Sequence, residues 1–234
     1  MEGFGDESLL DWAGPLLWGA LTTLEIALLA YGLGLLLGLA GAVAKLSRKA
    51  PLVGLATLYS TLVRSIPELL LIILLYYAGS QFLETLFRGL GFDVIVNISG
   101  FVTAVAVLAF VQGAYMTEVF RGAIKAIPKG HVEAADAFGL TPWQRFKRVV
   151  LPEMMPNALP GLSNLWLILV KDTALISVVG FEELFFTAQQ AAASTRNYFV
   201  FYAAAGALYL VMTLGSNTVF ERIERTVRRG ERRA

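Results

Sequence analysis

Long runs of apolar residues alternate with short charged stretches along this chain. Five apolar segments are evident, at about 15–44, 52–82, 98–120, 156–179 and 199–219. Each approaches or exceeds the roughly 20 residues that a helix needs to cross a bilayer. The alternating pattern of membrane β-strands is absent. The pattern predicts an all-α integral membrane protein in which residues 1–234 form one transmembrane domain with five transmembrane helices.

The second apolar segment is interrupted at Arg64-Ser65-Ile66-Pro67-Glu68. Proline removes a backbone hydrogen bond in a helix and clashes with the preceding turn. We therefore expect a kink inside span two, with charged residues on both sides of it.

Basic residues are concentrated after spans one, three and five. These three positions hold fifteen of the nineteen Lys and Arg residues. The opposite ends carry mainly acids, among them Glu2, Asp6, Glu7 and Asp93. Because basic loops remain in the cytoplasm, we expect the N-terminus outside, the C-terminus inside and five crossings.

Composition supports a membrane protein and excludes several other classes. Hydrophobic residues make up 56% of the chain, and mean hydropathy is +0.64. Soluble domains usually contain 45–50% apolar residues. The net charge of +1 gives no reason to expect a nucleic-acid partner. Without cysteine, and with His131 as the single histidine, the chain has no thiol chemistry and no histidine-based metal site.

The basic loop 121–152 between spans three and four contains residues that typically start and end two short helices. Residues 131–138 place Val132, Ala135 and Phe138 on one face. Gly139 is suited to a left-handed turn, and Thr141 before a proline is a good N-cap. A second helix is expected over 143–150, ended by Pro152. Taken alone, the loop also fits a basic amphipathic segment lying on anionic lipid.

The order of residues in this loop resembles the EAA motif of bacterial ABC importer permeases. The motif consists here of Glu133-Ala134-Ala135, then Gly139, then Leu151-Pro152, with Val149 where the motif usually has Ile. Segments 61–77, 113–139 and 159–180 are also similar to permeases of the polar amino acid branch. Within that branch they resemble the Q-type subunits of histidine/lysine/arginine/ornithine or opine transporters. The resemblance covers about residues 12–228.

This resemblance implies a type I importer fold in a bacterial inner membrane. It implies four kinds of partner: a second homologous permease, two ATPase subunits, a periplasmic binding protein and an amino acid substrate. The chain lacks a GxxxxGK[ST] phosphate-binding loop. ATP and Mg are accordingly expected on the ATPase, with no cofactor, metal or catalytic residue on this chain. The residues expected to couple to the ATPase are Glu133, Ala134, Ala135, Gly139, Leu151 and Pro152.

Ionisable residues inside apolar spans need an explanation, because each costs about 2.5–3.5 kcal/mol to insert. Grouped around a cavity, they suit a ligand that carries both an ammonium and a carboxylate. The candidate substrate path comprises Arg64, Pro67, Glu68, Tyr115, Glu118, Lys171, Asp172 and Thr173. Two structural alternatives remain open: an ion pair between Arg64 and Glu68, and a salt bridge from Glu118 to Arg121 or Arg64.

Two further residue sets have simpler expected roles. Glu25 in span one is expected to make a polar contact between helices. Gly32, Gly34, Gly38 and Gly41 permit close approach of another helix, for which the second permease is one candidate.

Two other functional classes compete with the importer hypothesis. One is a stand-alone secondary transporter or channel that uses Glu118 and Asp172 for ion coupling. The other is a membrane scaffold that anchors a soluble partner through loop 121–152. Transport that depends on ATP, and co-purification of an ATPase, would distinguish the importer from both.

Overall fold

Helices account for nearly all of the chain in the computed structural model, which describes residues 9–89 and 99–231. Within these ranges the α-helices are α1 (Ala13–Leu46), α2 (Ala50–Ser65), α3 (Glu68–Gly89), α4 (Gly100–Lys125), α5 (Lys129–Ala137), α6 (Pro142–Arg145), α7 (Leu151–Asp172), α8 (Leu184–Thr195) and α9 (Tyr198–Glu231). A π-helical turn, Phe146–Val150, joins α6 to α7, and a 3₁₀ segment, Thr173–Val179, follows α7.

Four helical runs are long and apolar enough to cross a membrane, and the α2–α3 pair makes a fifth if it is one broken span. The prediction of an all-α membrane protein is therefore confirmed. The inside or outside position of the termini stays a prediction. The predicted start of span three at residue 98 lies outside the described residues, as do several charges used for orientation, namely Glu2, Asp6, Glu7, Asp93, Arg232 and Arg233.

The break in span two is much sharper than the expected kink, because α2 and α3 meet at 114°. Ile66 has extended backbone angles, φ −98° and ψ 139°. The residue before a proline avoids the helical region, so Ile66 ends α2 and Pro67 precedes a new helix. This bend removes the helical i, i+4 relation that the predicted Arg64–Glu68 ion pair required.

Close packing of α1 against α4 forms the centre of the bundle. Gly38 and Gly41 face Met116 and Thr117 so closely that a Cβ atom on either glycine would collide with them. In membranes, small residues allow such backbone approach, and dispersion contacts then hold the pair together. The predicted close contact at Gly38 and Gly41 is thus made by α4 of the same chain.

Two other residues of α1 do not face this contact. Gly32 has open space around it. Glu25 lies exposed on the helix surface, so the expected contact between helices is not made within the described part of this chain.

The short helix α8 folds back against α1 and α9. Leu16 and Ala20 of α1 and Phe201 of α9 form a buried apolar cluster with the first residues of α8. Gly19 allows this contact, because a Cβ atom there would lie 2.9 Å from the Cα atom of Leu184. At 12 residues, α8 is too short to cross a bilayer.

Candidate functional site

A compact two-helix projection, which we call the knob, comprises α5, the turn at 138–141 and α6. Gly139 has φ 72°, and the Leu140 amide donates to the Ala135 carbonyl at 3.1 Å. The Thr141 hydroxyl accepts a hydrogen bond from the Gln144 backbone amide at 3.3 Å, and the Thr141 backbone amide donates to the Gln144 side-chain oxygen at 3.0 Å. The predicted left-handed turn and N-cap are confirmed.

The end of the second knob helix differs from the sequence prediction. Pro152 does not stop it, because α6 continues through the π-helical turn directly into α7. A π turn is wider than an α turn. We attribute the tolerance of Pro152 to this widening, which relieves the contact between its ring and the carbonyl four residues earlier. The second knob helix, α6, and span four therefore form one continuous helical run.

An ion pair and a histidine–carboxylate contact brace the knob. Arg145 donates to Asp136 at 2.6 Å, which links α6 to α5. His131 of α5 lies 2.7 Å from Glu153 of α7. Exposed pairs contribute about 0–1 kcal/mol each, so they fix orientation more than they stabilise.

The residues of the EAA motif divide between the surface and the interior of the knob. Glu133 and Ala134 are exposed, whereas Ala135 is buried. Leu151 is partly buried and packs against the apolar core residues that lie under loop 121–152.

Large aromatic side chains are exposed at the tip of the knob. Phe138 is 87% exposed and Trp143 is 69% exposed. Phe138, predicted by its spacing to share a face with Val132 and Ala135, differs from the buried Ala135 because the helix ends at Ala137 and the turn directs residue 138 outward. Exposed aromatics of this size are typical of interaction surfaces. The sequence analysis missed this role for both residues.

Three of the residues predicted to line the substrate path lie close together within the membrane region. They come from three different helices. The Tyr115 side chain of α4 lies close to that of Glu68, at the start of α3. The side chain of Asp172, at the end of α7, also lies close to Glu68. The guanidinium carbon of Arg64 lies 5.8 Å from the centre of the Tyr115 ring, a cation–π distance. The break at Pro67 places the Glu68 end of α3 beside the other two helices.

Lys171 and Thr173 do not join this group. Lys171 lines a separate cavity of about 320 Å³ with Tyr202 and Tyr209. Neighbouring residues on a helix point about 100° apart, so Lys171 and Asp172 face different surroundings. Thr173 is buried and donates to the Val170 carbonyl at 2.8 Å.

Glu118 lies in an ion-pair network outside the Glu68 group. It contacts the Lys45 ammonium of α1 and accepts from the Arg121 Nε at 2.8 Å. Ser60 of α2 donates to it at 3.3 Å. The salt bridge to Arg121, one of the two alternatives stated for this residue, is thus present. Its place on a substrate path stays a prediction.

Glu183, just before α8, carries a fully buried carboxyl group. It accepts from the Phe186 amide at 2.9 Å, which caps α8. Thr23 of α1 and Tyr209 of α9 donate to its other oxygen, at 3.2 and 3.0 Å. The bonds to Thr23 and Tyr209 span 160 and 26 residues of sequence, so no local pattern indicates them.

Two acidic side chains lie side by side in the membrane region. The carboxyl groups of Glu68 and Asp172 therefore favour the binding of a cation between them. Among the residues that the structure describes, no group of three or more His, Cys, Asp or Glu side chains could hold a metal ion.

Comparison with known proteins identifies the family. The family model described as "Binding-protein-dependent transport system inner membrane component" matches residues 15–229. The histidine/lysine/arginine/ornithine transport system permease protein HisQ of Salmonella typhimurium is 43% identical over 97% of this chain and 99% of its own length. The nopaline transport system permease protein NocQ of Agrobacterium fabrum is 41% identical over 94% of each chain.

Solved structures agree with this assignment. A crystal structure of an amino acid ABC transporter with histidines matches with a TM-score of 0.78 and 30% identity, over 97% of this chain and 99% of that one. An inward-facing MetNI methionine ABC transporter matches with a TM-score of 0.72, 21% identity and coverage of 92% and 97%, a likeness of fold. The chain belongs to the family of binding-protein-dependent transport system inner membrane components.

Proposed function

We propose that this chain is the permease subunit of an ATP-driven importer for a basic amino acid or an opine-like derivative. HisQ and NocQ are named for histidine/lysine/arginine/ornithine and for nopaline, and both match almost the whole chain. The observation that carries the substrate class is the paired carboxyl groups of Glu68 and Asp172 at the break in span two.

Recognition at this pair follows from charge. Two adjacent carboxylates repel each other, and a guanidinium or ammonium group between them removes that repulsion. Charge-assisted hydrogen bonds to such a group are about twice as strong as neutral ones. Arg64 beside Tyr115 supplies a positive group for the substrate carboxylate. The proposed path continues towards the loop through Glu118, with Lys171 and Thr173 flanking it on α7 and the 3₁₀ segment.

Coupling to ATP hydrolysis runs through the knob. The exposed Phe138 and Trp143 dock into the ATPase, while Glu133 and Ala134 complete the contact surface. The knob is braced internally by Arg145 and Asp136. Because it continues into α7, tilting the knob moves a helix of 22 residues, about 33 Å long. Asp172 lies at the far end of that helix. A tilt of the knob on docking therefore displaces one of the two paired carboxyl groups.

The working assembly contains more than this chain. It comprises a second homologous permease, two ATPase subunits that bind ATP and Mg, and a periplasmic binding protein that delivers the amino acid. This chain contributes no catalytic residue and no cofactor site. The N-terminus lies outside and the C-terminus inside, which places the knob in the cytoplasm with the ATPase.

The proposal is tested by substrate-stimulated ATP hydrolysis in the reconstituted transporter. Glu133→Lys reverses a charge on the docking face and is expected to lower stimulation while the complex still forms. Glu221→Lys makes the same change at an exposed position of α9 and serves as the control. Equal stimulation in both variants and the wild type would contradict the role of the knob.

A further inference from the structure

A large cavity lies at the base of the knob, away from its aromatic tip. Its volume is about 960 Å³, within the range of small-molecule sites. The lining comes from the α4–α5 junction, the π-helical turn, the start of α7 and the end of α9. No residue between 133 and 147 lines it, so the docking face of the knob is separate from this cavity.

The cavity has a polar end. Arg148 lines it and is exposed, and within the described part of the chain its side chain makes no ion pair or hydrogen bond. His131 and Glu153 also line it, but they are paired with each other. Lys125 and Lys129, both exposed, flank the α4–α5 junction. The local excess of positive charge therefore favours an anion.

The lining of the cavity is also partly apolar. Ile127, Met155, Pro156 and Val227 line it. Arg148 precedes Pro156 by eight residues, about 12 Å along the helix. Pro156 is the first residue of the predicted span four, so Arg148 lies on the cytoplasmic side of the hydrocarbon core in the proposed orientation. Arg148 lies in the π-helical turn, a distortion often found at functional sites.

From this geometry we infer that the cavity is a binding site for one anionic phospholipid. The lipid phosphate pairs with Arg148. The parts of the acyl chains nearest the headgroup pack against Met155 and Val227. Basic pockets between helices on the cytoplasmic side of membranes bind such headgroups. The leaflet follows from the proposed orientation, whereas the binding itself depends on neither transport nor ATP. A lipid here would hold the knob at a fixed height relative to the bilayer.

Native mass spectrometry of the complete transporter, supplied with phosphatidylglycerol or phosphatidylcholine, tests this site. We expect preferential retention of phosphatidylglycerol. Arg148→Ala is expected to lower that retention about five-fold, the effect of one basic group near a membrane surface. Arg222→Ala removes an exposed charge of α9 that does not line the cavity, and it should retain the lipid. Asn157→Trp fills the cavity without a charge change and should lower retention as well.

Several outcomes would overturn the inference. They are equal retention of the two lipids, equal loss in Arg148→Ala and Arg222→Ala, or retention only after the ATPase subunits are removed. Inorganic phosphate that competes as well as phosphatidylglycerol would show a soluble anion site instead. If Arg148→Ala does not assemble, Asn157→Trp decides: unchanged phosphatidylglycerol retention in that variant would exclude the cavity.

Discussion

Replacing Gly139 by valine tests whether the shape of the knob matters for coupling. Gly139 has φ 72°, and no atom lies within 4 Å of the Cβ position. The substitution therefore strains the backbone without causing a clash. A left-handed conformation costs a non-glycine residue about 1–2 kcal/mol, and β-branched residues tolerate it worst. The native turn should become about 5- to 30-fold less favoured.

The assay is ATP hydrolysis by the reconstituted transporter with and without substrate-loaded binding protein. We expect Gly139→Val to lower stimulated hydrolysis several-fold while membrane insertion is unchanged. Gly139→Asn should keep most of the stimulation, since asparagine accepts the left-handed region. Gly130→Val is the matched control, because Gly130 lies in α5 with open space around it and without positive φ. Normal stimulation in Gly139→Val, or an equal defect in Gly130→Val, would refute the reasoning.

Three further predictions concern the site, the packing and the topology. Asp172→Asn removes one charge-assisted contact and should lower uptake of a cationic substrate at least ten-fold without reducing co-purification of the ATPase; equal losses would indicate a structural role. Gly161→Leu places a Cβ atom 2.9 Å from a valine of α4 and should lower the melting temperature by overpacking, whereas Gly54→Leu, which has open space, should not. Cysteines introduced at Ser8 and Arg228 should be labelled from opposite sides of the membrane, and labelling from one side would exclude five crossings.

Features that depend on neighbouring residues could be predicted from the sequence. The apolar spans follow from the length of each run, since every crossing must satisfy its backbone internally. The turn at Gly139 and the cap at Thr141 follow from local backbone chemistry. The grouping of Glu68, Tyr115 and Asp172 could be anticipated because charged residues in three spans avoid lipid together.

Features that depend on tertiary contacts could not be predicted. Glu183 is buried only because α8 folds back between α1 and α9, which no local pattern indicates. Phe138 fits the apolar face of a helix, but the helix ends one residue earlier. Pro152 looks like a helix stop, yet the π-helical turn before it accommodates the ring. In each case the outcome depends on a tertiary contact or on a backbone distortion. The periodicity of the sequence does not indicate either of these.

Uptake of radiolabelled arginine into proteoliposomes tests the central claim most directly. The vesicles contain this chain with its second permease, the ATPase and the binding protein, and ATP is enclosed on the ATPase side. The account predicts accumulation against a gradient that requires ATP and the binding protein, and that neutral amino acids do not inhibit. Accumulation driven by an ion gradient without ATP, or no arginine transport under any condition while a neutral amino acid is accumulated, would contradict it.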